Sequence, residues 1–212
     1  MADKTSRAGL VFIEIFAVLL TAIGKILFMN VWDFRLPYIL VVLVFWTGYV
    51  IWKRTRNPKA YQYWGLHLRQ FRSTFLELLP WALILIGGFG IYGMLSGKML
   101  LSLHMIPIFL LYPVWGILQQ FLVLSLFGQN LKQKFEKRWS VEVLVVLTAV
   151  LFGLVHYPFA LLIVGTFFLA LVYTILFFKG RNLIALGIYH GWLATFFFYW
   201  VLGRDSWLEA FG

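Results

Sequence analysis

The sequence predicts an all-α fold: a polytopic membrane bundle of about seven transmembrane helices plus one amphipathic helix lying in the interface. Three observations predict it. Hydrophobic residues make up 62% of the 212-residue chain and charged residues only 12%, against about 25% charged in soluble domains. The apolar residues are gathered into long runs rather than spread over a soluble core. The lysines and arginines fall in the gaps between those runs, biased to alternate gaps.

The runs read, in order, Ala8–Phe28, Leu36–Trp52, Phe75–Leu95, Leu100–Phe127, Val143–Tyr157, Phe159–Phe178 and Leu183–Leu202. Spanning a bilayer takes about 20 apolar residues in a helix. Lipid satisfies no backbone group, so these runs are helices; they are too long and unbroken for barrel strands. The first run follows Lys4 and Arg7 but exceeds a signal peptide in length and lacks a small-residue cleavage site, so it reads as a retained span. The fourth is long enough to tilt, protrude or break near Pro107, and the fifth is short.

Strict alternation leaves fourteen of the lysines and arginines on one side and three on the other, with Lys25 inside the first run. Positive residues collect on the cytoplasmic side, so the pattern predicts a cytoplasmic N-terminus and an outside C-terminus. The same bias accounts for the net charge of +10 without nucleic acid as a partner. Between Asn57 and Thr74, Tyr61, Trp64, Leu68, Phe71 and Phe75 recur every three or four residues, with Lys59, Arg69 and Arg72 elsewhere on the wheel. That spacing predicts the interfacial helix. The absence of cysteine excludes disulfides, thiolate catalysis and thiolate metal sites.

Polar groups inside spans are costly and therefore functional candidates. Glu14 and Lys25 share a helix but lie about 16 Å apart by helix rise, so they do not pair. Glu77 sits near a basic helix start and reads as structural, and His104 reads as interfacial. Four residues remain as candidate site positions: Gln119 and Gln120, consecutive amides in an apolar stretch; His156, at the end of the fifth run; and His190, early in the seventh. Interhelical hydrogen bonding at about 1 kcal/mol each is the simpler role for any one of them. The two histidines alone begin a metal site, but zinc takes three protein ligands at a catalytic centre and no third is at hand, so no metal or cofactor is expected.

Taken together, the order of these residues resembles the CPBP family, the membrane proteins that include the type II CAAX prenyl endopeptidases and bacteriocin-processing proteins. The family pattern has Glu-Glu-x-x-x-Arg on one helix, Phe-x-x-x-His on the next, and His-x-x-x-Asn or similar on a later one. Phe152 and His156 fit the second motif, and Gly180-Arg181-Asn182-Leu183 leading into His190 fits the approach to the third. The resemblance covers about residues 105–200. It divides one integral membrane domain into N-terminal helices (1–104) and a CPBP-like core (105–212). The departures are Gln119-Gln120 at the glutamate pair, Leu124 at the arginine and Ala194 at the asparagine.

In that family the first glutamate, with the second-motif histidine, is implied to activate water, and the third-motif residues to hold the oxyanion. A carboxylate accepts a proton from water; a glutamine amide does not. Gln120 and Leu124 have lost both ends of what would be a buried ion pair, whereas losing one end strands a charge at several kcal/mol. Double loss reads as divergence. The resemblance implies a CAAX-type membrane endopeptidase; the departures imply a non-catalytic relative that binds a membrane peptide, lipidated peptide or lipid, or serves as a subunit of a membrane complex. The alternative is an active intramembrane peptidase with His156 as base and His190 and Gln119 as donors. A transporter is disfavoured by the short chain and the lack of an internal repeat. The basic gaps fit a bacterial or archaeal plasma membrane, with the endoplasmic reticulum as the alternative.

Overall fold

The computed structural model describes residues 2–211, with side chains from Leu10 onward. The described residues form helices and connecting turns, and no strand is found among them. The helices are α1 (Ala2–Lys25), α2 (Arg35–Arg56), α3 (Ala60–Tyr63), α4 (Phe71–Leu95), α5 (Met105–Gln120), α6 (Asn130–Phe135), α7 (Val141–Leu154), α8 (Ala160–Phe178), α9 (Leu183–Phe196) and α10 (Ser206–Phe211). Three segments widen to π-helical winding: Ile26–Val31, Phe121–Gln129 and Phe197–Leu202.

Among the described residues, six helical runs are long and apolar enough to cross a membrane, and α7 is a shorter apolar helix. The expected fourth run is continuous from Met105 to Phe135; Pro107 lies in its first turn, where a missing N–H does no harm, and no break forms. At 14 residues, α7 is about 21 Å long, short of a bilayer core of about 30 Å. The outward faces of the long helices are apolar, with Val44 74%, Trp81 66% and Phe168 61% exposed. Such faces suit lipid and not water. The chain is an integral membrane protein.

The expected interfacial helix does not form as a continuous element. Only the single turn α3 is helical between Asn57 and Gln70. Gly65, at φ 71°, and Gln70, at φ 59°, take left-handed conformations that end helices. Trp64 is buried and its carbonyl accepts from Ser125 Oγ at 2.6 Å, so its ring is withdrawn from the face assigned to the headgroups. Phe71 and Phe75 belong to α4.

The chain forms two compact units, Met1–Leu66 with Phe121–Arg181, and His67–Gln120 with Asn182–Gly212. In the first, Trp46, Trp64 and Phe121 are fully buried and meet edge to face, Trp64 and Phe121 with centroids 5.3 Å apart. Glu14 is buried beside them. Its carboxylate accepts from Tyr49 Oη and from Asn130 Nδ2 at 2.6 Å, with Lys53 Nζ 3.9 Å away. In the second unit, α4, α5 and α9 pack together, and Leu100 N–H donates to the Tyr199 carbonyl at 2.9 Å.

Candidate functional site

Glycines set the distance between α5 and α9. A side chain at Gly191 would put its Cβ 2.5 Å from Pro113 N and the Tyr112 carbonyl. At Gly116 and Gly187 a Cβ would likewise meet facing backbone inside 3.0 Å. The helices therefore touch backbone to backbone, as small-xxx-small pairs allow in lipid; Gly187-x-x-x-Gly191 is the readable signal. The start of α9 is fixed by Asn182, whose side chain accepts from Ala185 N–H at 3.1 Å and donates to the Arg69 carbonyl at 3.0 Å. Its own N–H donates to Thr74 Oγ1 at 3.1 Å. Next to His190 in the chain, Tyr189 donates to the Phe75 carbonyl at 2.9 Å.

This scaffold brings two of the four expected residues together. His190, buried at 4% exposure, donates from Nε2 to Gln119 Oε1 at 2.8 Å. Gln120, the neighbouring amide, is fully buried, and neither its oxygen nor its nitrogen has a hydrogen-bond partner among the described residues. Buried polar groups of that kind are few in folded proteins.

His156 lies in the first unit, in the turn that follows α7. Its Nδ1–H donates to the Phe152 carbonyl at 2.7 Å, and the two rings meet edge to face at 5.0 Å. With Nδ1 carrying the proton, the neutral ring keeps its lone pair on Nε2. The spacing Phe-x-x-x-His thus has a local purpose: residue i+4 of the helix end bonds back to residue i. Gly153 lies where a Cβ would come 3.1 Å from the Ile163 carbonyl, which lets α7 and α8 pack closely.

Lys25, inside the first run, has a partner that lies far from it in the sequence. In the structure Lys25 Nζ donates to the Tyr157 carbonyl at 3.4 Å, and Asn30 Nδ2 donates to the same oxygen. The first helix therefore holds the His156 turn. Leu124 and Leu126 are fully buried, so the segment after Gln120 is apolar and enclosed.

His104 is more than interfacial. Its Nδ1 bonds Asp205 Oδ2 at 2.8 Å, Ser102 Oγ donates to the same oxygen at 3.1 Å, and Tyr199 Oη donates to Asp205 Oδ1 at 2.7 Å. Burial alone would push the Asp205 carboxyl up, but the hydrogen bonds from Tyr199, His104, Leu208 N–H and Ser102 outweigh it and hold the group at about 2.

Residues 101–196 match the family model described as Rce1-like, type II CAAX prenyl endopeptidase. The matched stretch is a little under half of the chain and contains Gln119, Gln120, Leu124, His156, His190 and Ala194. No curated protein and no solved structure matches the chain.

Proposed function

We propose that this chain, a member through residues 101–196 of the Rce1-like type II CAAX prenyl endopeptidase family, is a non-hydrolytic relative that binds a membrane peptide or lipidated peptide. The observation that carries the reading is the 2.8 Å bond between His190 Nε2 and Gln119 Oε1. A carboxylate at position 119 would both orient His190 and accept a proton from water; the amide does only the first. Gln120 supports the same reading, because an uncharged residue in a fully buried position needs no arginine to balance it, and Leu124 supplies none.

A second reading, hydrolysis with His156 as base, draws on the lone pair that the Phe152 bond leaves on Nε2. Restoration separates the two. Membranes carrying the parent chain and the variant Gln119→Glu, Gln120→Glu, Leu124→Arg, Ala194→Asn are compared for peptide processing by mass spectrometry. Cleavage by the restored chain alone supports a binding role for the parent. Cleavage by the parent, abolished in His156→Ala, overturns it. A membrane complex that co-purifies with the parent identifies the bound peptide as a partner subunit.

The charge bias supports a cytoplasmic N-terminus in a prokaryotic plasma membrane. Because the chain has no cysteine, single replacements report sidedness cleanly. An impermeant maleimide should label Lys98→Cys in intact cells and spare Lys59→Cys, and the reverse pattern refutes the orientation.

A further inference from the structure

One end of the first unit is strongly cationic. Arg54, Arg56, Lys134, Lys137, Arg138 and Lys179 are exposed there. Contacts within the unit bring their segments together. Tyr63 Oη lies within hydrogen-bond distance of Gln133 Oε1, at 2.8 Å, and of Asn130 Oδ1, at 3.0 Å, tying the chain just after α2 to α6. Lys132 Nζ lies 4.7 Å from the Phe178 ring centroid, tying α6 to the end of α8. Within residues 53–59, 130–139 and 178–181, Glu136 is the sole acid, and the Glu14 carboxylate is already engaged by Tyr49 and Asn130.

We propose that this end binds the phosphate of anionic phospholipids. The neighbours of the cations select a lipid over other anions. Trp52 and Trp139 are 49% and 42% exposed among them, and exposed Trp sits at headgroup depth in membrane proteins. The cations lie along aromatic rings, Arg54 Cζ 5.0 Å over Tyr61 and Lys134 Nζ 4.8 Å over Phe12, so their stems cover apolar surface while the charges reach outward. Along α2 the surface turns apolar next to them at Ile51, 56% exposed, and stays so to Val44, 74% exposed, about two turns further on. A soluble polyanion would have to lie against that surface; a lipid offers its phosphate to the cations and its chains to the helix.

Each cation at an anionic membrane surface strengthens association by about fivefold. The full chain in detergent is titrated with phosphatidylglycerol or phosphatidylcholine, and bound lipids are counted by native mass spectrometry. The parent should retain phosphatidylglycerol preferentially, and Lys132→Gln/Lys134→Gln/Lys137→Gln/Arg138→Gln should lose about a hundredfold or more of that preference. The charge-keeping set Lys132→Arg/Lys134→Arg/Lys137→Arg should retain it. Should the neutral variant fail to fold, raising salt on the parent from about 50 mM to about 0.5 M replaces it, since screening shortens the reach of the charges; the preference should fall. Equal retention of both lipids by the parent, or a preference unchanged by neutralisation or salt, overturns the proposal. So does displacement of phosphatidylglycerol by an equal concentration of inorganic phosphate, which would make the free anion the ligand.

Discussion

Replacing Gly191 by alanine tests whether backbone contact between α5 and α9 creates the Gln119–His190 pair. The new Cβ would start 2.5 Å from Pro113 N and the Tyr112 carbonyl, and ordinary contact begins at 3.4 Å. Neither neighbour can rotate away, because both are backbone. The helices must therefore separate by about 0.9 Å, the difference between those two distances. Added to the 2.8 Å between His190 Nε2 and Gln119 Oε1, that separation exceeds the reach of a hydrogen bond. Overpacking costs about 1–3 kcal/mol, and a backbone neighbour puts this site at the upper end, about 3 kcal/mol. Alanine returns about 1 kcal/mol of helix propensity, for a net loss of about 2 kcal/mol.

At about 2–4 °C per kcal/mol for a chain of this size, the midpoint in detergent should fall by about 4–8 °C. Gly88→Ala is the control, since nothing lies within 4 Å of its added Cβ; its midpoint should hold or rise. Nitrogen-15 NMR of the His190 ring in nanodiscs reads the second consequence, loss of the Nε2–H bond. Equal midpoints for Gly191→Ala and Gly88→Ala, or an unchanged His190 signal, would show that the glycine contact does not create the pair.

Three further expectations concern polar groups held inside the fold or at its edge. Gln120→Met should raise thermal stability, because it removes an amide with no partner among the described residues and about 1–3 kcal/mol of desolvation with it; a lower midpoint would sink that account. Asn130→Leu takes one donor from the buried Glu14 carboxylate and should cost about 1–3 kcal/mol, read as a lower midpoint. Glu14→Gln in the same background should recover part of it. Asp205 is depressed from 3.8 to about 2, so its stabilisation is complete above about pH 4 and lost as pH falls toward 2. Trp207 fluorescence should report that loss in the parent and be flat in Asp205→Asn.

The spans were legible because a bilayer imposes one rule, about 20 apolar residues per helix, and six runs obey it with ends shifted by a few residues. The interfacial helix was not, because its periodicity is shared by any helical turn packed on a core. What decided against it is non-local: Ser125, more than sixty residues away, bonds the Trp64 carbonyl. The two backbone conformations that end helices there, at Gly65 and Gln70, need structure to locate. His190 and Gln119 were readable as polar residues in apolar runs, and their pairing follows from Gly187 and Gly191, which were present in the sequence but unused. The partners of Glu14, His104 and the His156 turn were illegible, since each arrives from a distant helix or its flanking turn: Asn130, Asp205 and Lys25.

Those illegible partners bear on why position 120 holds a neutral residue. Glu14 is buried with two hydrogen-bond donors and a lysine nearby, and Asp205 is held by five donors, from Ser102, His104, Tyr199 and the Trp207 and Leu208 N–H groups. Around both carboxylates the fold places donors that compensate a negative charge. Gln120 has no such surroundings: neither atom of its amide is met by a partner among the described residues, and Leu124 gives no cation. A glutamate there would be a buried charge left uncompensated, far costlier than an unmet amide. The single change Gln120→Glu should therefore destabilise the chain more than the double change Gln120→Glu/Leu124→Arg, and a midpoint that falls equally in the two variants would show that the pair does not act as a unit.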